Sequence, residues 1–348
     1  MLDDSHIRIF IRELWKWFAV NKRTLPWRDL TEKDPDKRAY LILVSEIMLQ
    51  QTQVLRVMVK YKEFVQIFPS LQDLAKASNA EVLIAWKGMG YNSRALRLRD
   101  AAKTIVDRFS GQFPTDMESL LSIKGIGDYT AGAIRNFAFN IPTPCIDTNI
   151  RRILHRFFVG PENVDGTWEK GDRELIGIAG KVLEAAIGSG KGNRGIRGVR
   201  RIRGSNASVC SSGSSVSSVS SESSSSWHAA LMDYGSLVMT KANPKWELLS
   251  SELRSICKAY GKVKAGTKKV NKSEPGIDLD GRFIPRRIIR GKVVEALRGA
   301  DGWIAIDEVV RKIGFESVND QQWFDELLKG LRRDGLIEIR ASKIRLAR

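Results

Sequence analysis

Cysteine is scarce: the 348 residues contain three, Cys145, Cys210 and Cys257, far apart in the chain. That spacing indicates neither a disulfide framework nor a Cys-x-x-Cys metal pair. Long apolar runs are absent as well. No stretch approaches the ~18 apolar residues that a membrane helix needs, and the opening Met1-Leu2-Asp3-Asp4-Ser5 lacks a basic, apolar signal segment. The chain is therefore expected to avoid membranes and to work in the cytoplasm, at the nucleoid or in a nucleus. Strand signals are also few before residue 262, where apolar positions recur almost everywhere at helical spacing.

What the chain does have is length, apolar content and positive charge. At 348 residues with 43% hydrophobic content it supports two or three packed domains. A formal net charge of +17 suits a polyanionic partner bound in a salt-dependent way. Part of that excess is local. Lys191, Arg194, Arg197, Arg200, Arg201 and Arg203 form one run, and Lys258, Lys262, Lys264, Lys268, Lys269 and Lys272 another; without these twelve the balance is only +5.

Residues 6–20 place Ile7, Phe10, Ile11, Leu14, Trp15 and Phe18 on one helical face, and 36–140 continues as helices punctuated by glycine and proline. Ile150 to Phe158 reads as a basic amphipathic helix, and 171–186 as another. Residues 188–226 break the pattern with a Gly/Arg run and a serine tract, a composition too poor in apolar surface to fold. The segment reads as a disordered insert in a domain spanning 1–261. A basic linker is expected over 262–279. Beyond it, helices at 286–298, 306–313 and 323–333 and a hairpin at 336–346 predict a winged helix-turn-helix over 280–348.

Six motifs carry the chemistry. Leu120-Leu121-Ser122-Ile123-Lys124-Gly125-Ile126-Gly127-Asp128-Tyr129-Thr130-Ala131-Gly132 is a helix running into a glycine-paired turn, with a second helix starting from Asp128, the expected N-cap. Gly125 and Gly127 would turn backbone amides toward a phosphate at that helix N-terminus. Downstream, Cys145-Ile146-Asp147-Thr148-Asn149 holds an aspartate in an apolar setting. Val44-Ser45-Glu46-Ile47-Met48-Leu49-Gln50-Gln51-Thr52-Gln53-Val54, Leu25-Pro26-Trp27-Arg28 and Trp86-Lys87-Gly88-Met89-Gly90-Tyr91-Asn92-Ser93-Arg94-Ala95 complete the set, with Ala230-Leu231-Met232-Asp233-Tyr234-Gly235 late in the chain.

In this order the motifs resemble the MutY-like A/G-specific adenine DNA glycosylases, the adenine-removing branch of the helix-hairpin-helix (endonuclease III) superfamily. The resemblance runs over roughly residues 5–260 with one interruption. It implies an all-α helix-hairpin-helix glycosylase fold of two helical subdomains, with the hairpin at 120–139 and the small α+β winged helix appended. It also implies base excision repair: hydrolysis of the N-glycosidic bond of adenine mispaired with guanine or 8-oxoguanine in double-stranded DNA, by a monomer.

By position, Glu46 resembles the acid that protonates the purine ring and Asp147 the carboxylate that steadies the sugar cation. Tyr129 stands where lyase-active relatives carry a Schiff-base lysine, so the resemblance implies base release without strand cleavage, with Lys124 a source of slow lyase activity at most. Tyr129 would orient the sugar or Asp147. Asn149 resembles the polar residue beside the aspartate. Gln50, Gln51 and Tyr91 match positions that intercalate or probe the opposing base, and Arg28 lines the adenine pocket.

The chain also departs from that pattern. Many relatives bind a four-iron cluster through four cysteines. Here Met239, Trp246, Leu249 and Ser255 fall at that spacing, so no cluster and no metal site are expected. The winged helix stands where a lesion-inspecting domain is usual. Arg286, Arg287 and Arg290 are accordingly expected to add salt-dependent affinity, and adenine opposite guanine to be cut nearly as well as adenine opposite 8-oxoguanine. Two other readings stay open: a thymine or uracil mismatch glycosylase on the same fold, and a non-catalytic winged-helix DNA-binding protein.

Overall fold

The computed structural model describes residues 3–163, 165–192, 223–263, 275–279, 282–300, 302–315 and 321–348. Helices come first: α1 (Asp4–Asn21), α2 (Pro35–Leu49), α3 (Val54–Ile67), α4 (Leu71–Lys76), α5 (Asn79–Ala85), α6 (Ser93–Phe109), α7 (Met117–Leu121) and α8 (Asp128–Phe137). After them come α9 (Thr148–Leu154), α10 (Asp172–Gly192), α11 (Ser224–Leu237) and α12 (Ser251–Ile256). The C-terminal part holds β1 (Gly276–Leu279), β2 (Arg282–Pro285), α13 (Arg286–Arg298), β3 (Ile304–Ala305), α14 (Ile306–Ile313), α15 (Gln321–Arg333), β4 (Ile337–Arg340) and β5 (Lys343–Leu346). Among the described residues no helix is long and apolar enough to cross a membrane.

The chain folds into two compact units, and neither is continuous in sequence. One comprises Met1–Arg23 with Asn140–Thr267, the other Thr24–Phe139 with Lys268–Arg348. In the first, Asp3 caps α1, whose expected face is buried at Ile7, Phe10, Ile11, Leu14 and Phe18. Phe10 is the aromatic hub, with ring centroids 4.8 Å from Phe157 and 6.1 Å from Trp227. Such tilted and edge-on pairs stabilise beyond the area they bury.

Two expectations for this unit need correction. The helix after Asp147 does not run on to Phe158 as one α-helix: α9 stops at Leu154, and His155–Val159 winds as a π-turn. That wider turn lets Phe157 and Phe158 both reach the core. The break expected over 188–226 is shorter, because α10 runs to Gly192 and α11 starts at Ser224. Ser223 caps α11 by accepting from the Ser226 amide, so the last serines form a first helical turn. Residues 193–222, the rest of the expected insert, lie outside the described residues.

In the second unit α2 is the central helix. Asp34 caps it with Pro35 in the first turn, and Ala39, Tyr40 and Ile42 to Met48 are all buried, the pattern of a helix enclosed on every side. Ser78 and Glu81 form a capping box at α5. The C-terminal elements close their own antiparallel sheet in the order β3-β5-β4, with Ile344 paired to both Ile304 and Ile339. Three helices and a hairpin thus form the winged helix read from the sequence. The linker expected over 262–279 is shortened by β1, which pairs with β2 from Gly276↔Pro285 to Leu279↔Arg282.

The winged helix shares a core with the residues 24–139 part. Ile289, Val293 and Leu297 of α13 and Leu327 and Leu331 of α15 belong to the same buried cluster as Leu43 and Trp86. Polar ties fix the docking. Asn79 donates to the Gly335 carbonyl at 2.9 Å, and Arg298 donates to the Leu83 carbonyl at 2.9 Å and to Asn92 Oδ1 at 2.8 Å.

Candidate active site

The hairpin is a five-residue helix, a turn and a ten-residue helix. Gly125 takes φ +101°, where only glycine is unstrained, and a Cβ added there would meet the Cβ and the carbonyl oxygen of Arg97 at 3.5 Å. Asp128 is the first residue of α8, and the expected N-cap role falls to Gly127 with extended backbone. Glycine supplies no capping oxygen, so the first amides of α8 are left without a side-chain cap, as an anion site at a helix start requires. Lys124 is exposed beside the turn, while Tyr129 is half-buried in the first turn of α8. Helix α8 packs on α2, the helix that carries Glu46.

Glu46 is 7% exposed, with Val44, Ser45, Ile47 and Met48 all buried around it. Charged side chains so placed are rare among core residues. Arg28 is half-buried in the turn after Trp27, its amide donating to the Leu25 carbonyl at 2.9 Å. Trp27 is buried with its ring 5.6 Å from that of Tyr61.

At the C-terminus of α2 the sequence motifs converge through a residue to which sequence reasoning assigned no role. Arg94 is 3% exposed and donates to the carbonyls of Ile47 at 3.1 Å, Met48 at 3.0 Å, Met89 at 3.1 Å and Gly90 at 3.2 Å. It also donates to the Gln50 carbonyl and to Thr52 Oγ1. One guanidinium therefore ties the Gln50-Gln51-Thr52 loop to the Gly88-Met89-Gly90 turn. Burial lowers its pKa to about 10, still high enough to keep it charged at neutral pH. The loops so fixed hold Gln51 at φ +54° and Tyr91 at φ +45°, both exposed. Gln50 is the half-buried C-cap of α2.

Lysine has one compact ammonium and cannot span that set of acceptors. We expect Arg94→Lys to destabilise the protein by about 3 kcal/mol, since buried carbonyls lose their partners. Urea denaturation measures it, and a change below ~0.5 kcal/mol would contradict the clamp.

Asp147 belongs to the other unit, where it caps α9. Its Oδ1 accepts from the Ile150 amide at 2.6 Å and its Oδ2 from Asn149 Nδ2 at 2.9 Å. Asn149 Oδ1 in turn accepts from Arg152 at 2.7 Å, and the same guanidinium group reaches the Gly235 carbonyl at 2.7 Å. The amide of Asn149 is thereby held with its nitrogen toward the carboxylate. Burial raises the Asp147 pKa above the usual carboxylate range, opposed by these hydrogen bonds and by the charge of Arg152. Gly235 explains the Asp-Tyr-Gly motif: a Cβ there would stand 2.7 Å from that of Asn149, so α11 and α9 touch only with glycine present. Asp233, fully buried, accepts from Arg23 Nε at 2.6 Å.

The segment where many relatives hold iron is built differently. Met239 and Leu249 are buried, Trp246 stands edge-on to Tyr260 at 5.6 Å, and Ser255 donates to the Glu252 carbonyl. A thioether, an indole, an aliphatic chain and a hydroxyl do not fit an iron-sulfur cluster, which needs thiolates. Arg156, itself fully buried, ties the segment down through the carbonyls of Thr240 at 2.7 Å and Lys241 at 3.0 Å. Cys145 and Cys257 are buried and carry no disulfide.

Residues 44–172, which include Glu46, the hairpin and Asp147, match the model of the HhH-GPD superfamily base excision DNA repair proteins. Within it the resemblance to the adenine branch is borne out. The chain is 32% identical over 279 residues to the adenine DNA glycosylase of Mus musculus, 79% of this chain and 46% of that one. It is 42% identical over 144 residues to the adenine DNA glycosylase of Mycolicibacterium smegmatis, 41% of this chain and 47% of that one. The chain spans about half the length of these curated relatives. A thermostable thymine-DNA glycosylase shares the fold, with TM-score 0.56, 21% identity and coverage of 74% of this chain and 98% of that one.

Proposed function

We propose that this chain is a monofunctional DNA glycosylase that removes adenine mispaired with guanine or 8-oxoguanine from double-stranded DNA, acting as a monomer. The observation that carries the reading is Asp147, a half-buried carboxylate held by the Ile150 amide and Asn149 at the start of α9. Burying it costs stability, a cost that suits a group reserved for chemistry.

In the proposed reaction the bond between the sugar C1′ and the adenine nitrogen breaks, and its electron pair leaves with the base. Glu46 gives a proton to the purine ring, which makes the base a better leaving group. Asp147 steadies the positive charge left on the sugar until water adds at C1′ and releases a proton. Tyr129 has no amine with which to trap the opened sugar, so the product is an abasic site in an intact strand. The amides around Gly125 and Gly127 hold a phosphate of the target strand, with Lys124 beside them. Arg28 contacts the expelled adenine, and Gln50, Gln51 and Tyr91 fill or probe the gap left in the duplex.

A single-turnover assay on duplexes with A opposite G, A opposite 8-oxoguanine, T opposite G and U opposite G tests the reading. Adenine release from the first two is expected; release of thymine or uracil alone would move the chain to the mismatch-pyrimidine class. No release from any of them would leave a DNA-binding protein. We further expect the purified protein to be colourless and free of iron, given the side chains at the cluster spacing. Stoichiometric iron by elemental analysis would contradict that.

A further inference from the structure

The outer face of the winged-helix sheet carries a charge arrangement that the fold does not balance. Side chains alternate along β4 and β5, so Ile337, Ile339, Ile344 and Leu346 turn to the core while Glu338, Arg340, Lys343 and Arg345 share the opposite face. There Glu338 stands across from Arg345, and Arg340 across from Lys343. The first pair is complementary: Arg345 donates to Glu338 Oε2 at 2.6 Å and lies over the Trp303 ring at 4.5 Å. The second pair joins two cations. Like charges directly opposite each other destabilise a strand pair, and both side chains are exposed with no ion pair to any described residue.

The turn between them is fixed. Ala341 has φ +49°, which is costly for a residue with a Cβ, and the Ile306 amide donates to the Ser342 carbonyl at 2.9 Å, tying the tip to the start of α14. Several other cations of the domain have partners inside it. Arg290 pairs with Asp334, Arg286 donates to the Glu326 carbonyl at 2.8 Å, and Lys329 pairs with Glu326 at 2.9 Å. Helix α15 stands at the place of a groove-reading helix, yet its residues 321–328 expose Asp325 and Glu326 and no cation. Carboxylates set against a phosphate backbone repel it.

We infer that the wing tip is a second duplex contact, in which Arg340 and Lys343 each hold a phosphate of the DNA backbone and α15 stays out of the groove. An anion lying against both side chains relieves the repulsion that the sheet itself leaves standing. The inference rests on the glycosylase reading only in naming DNA as the polyanion. It moves salt-dependent affinity from α13, where the sequence placed it, to the wing.

Fluorescence anisotropy with the full-length protein and a fully paired duplex tests this without catalysis. Each phosphate contact contributes about 0.9 to the slope of log K against log salt concentration. Arg340→Gln combined with Lys343→Gln should therefore reduce the slope by about 2, so that the affinity deficit relative to wild type shrinks about tenfold between roughly 50 and 200 mM salt. Arg340→Glu separates binding from folding, because it sets opposite charges across the strand pair. It should weaken DNA binding more than Arg340→Gln does and melt at or above the wild-type temperature. Lys329→Ala, on α15, should leave the slope as in wild type. A slope unchanged by the double substitution would overturn the inference and leave the tip to an acidic protein surface. An equal loss at every salt concentration, or a slope that falls with Lys329→Ala, would also overturn it. Arg340→Glu melting several degrees below wild type would make the pair a structural element and have the same effect. Slopes as expected, with no adenine released in the excision assay, would uphold the wing contact and sink the glycosylase reading alone.

Discussion

Asp147→Asn is expected to abolish adenine excision, with a loss on the order of 10³-fold or more, and to leave the protein at least as heat-stable as the wild type at pH 7. The two halves of that result have one cause. Because burial raises the carboxyl pKa above its unfolded value, the folded state prefers the protonated form. The stability contribution is then fully present below the unfolded pKa and is lost as pH rises through the folded pKa, so at pH 7 the ionised group works against folding. Asparagine carries no charge to bury and still caps α9 by accepting from the Ile150 amide. It loses one contact, since its nitrogen would face Asn149 Nδ2. Catalysis has the opposite requirement, for only the carboxylate steadies a cation. Wild-type single-turnover rates should therefore fall on acidification at a pH above the ordinary carboxylate range. A variant that kept its rate within tenfold, or that melted several degrees lower, would remove Asp147 from the mechanism.

Glu46→Gln carries the second large effect. Glutamine matches glutamate in size and adds no charge to the buried segment of α2, so folding and duplex binding should persist, the latter within about tenfold. It cannot hand a proton to the purine. Loss of a general acid costs about 10²–10⁴ in rate, and because adenine leaves poorly without protonation the upper part of that range is expected. Single-turnover excision within tenfold of wild type would end the general-acid assignment. Measuring binding on the same sample separates lost chemistry from lost contact.

Much of this was legible in the sequence because its signals are local. The face of α1 follows from helical spacing, and α13 and α14 fall at the residues where the apolar pattern starts and stops. Asp147 and Glu46 stand out through the motifs that carry the resemblance; in the structure Glu46 is buried and Asp147 accepts from the Ile150 amide.

What the sequence hid depends on contacts between distant residues. Arg94 reads as one of several arginines on the amphipathic helix α6, and only the fold shows that its guanidinium closes onto carbonyls some 40 residues away. Asp128 looks like a cap because of its type, but capping depends on backbone angles, and Gly127 has the extended conformation. The four residues of β1 are too few to signal a strand without their partner β2. No local pattern reveals that a winged helix after a linker shares a core with residues 24–139.

The most direct measurement is product identification after a single turnover of wild-type protein on a duplex with adenine opposite guanine, in parallel with Glu46→Gln and Asp147→Asn. Wild type should release free adenine and leave a strand that stays full length until alkali cleaves it at the new abasic site, while neither variant releases base. Release of another base, strand cleavage without alkali as the main product, or adenine release surviving in both variants would contradict the account.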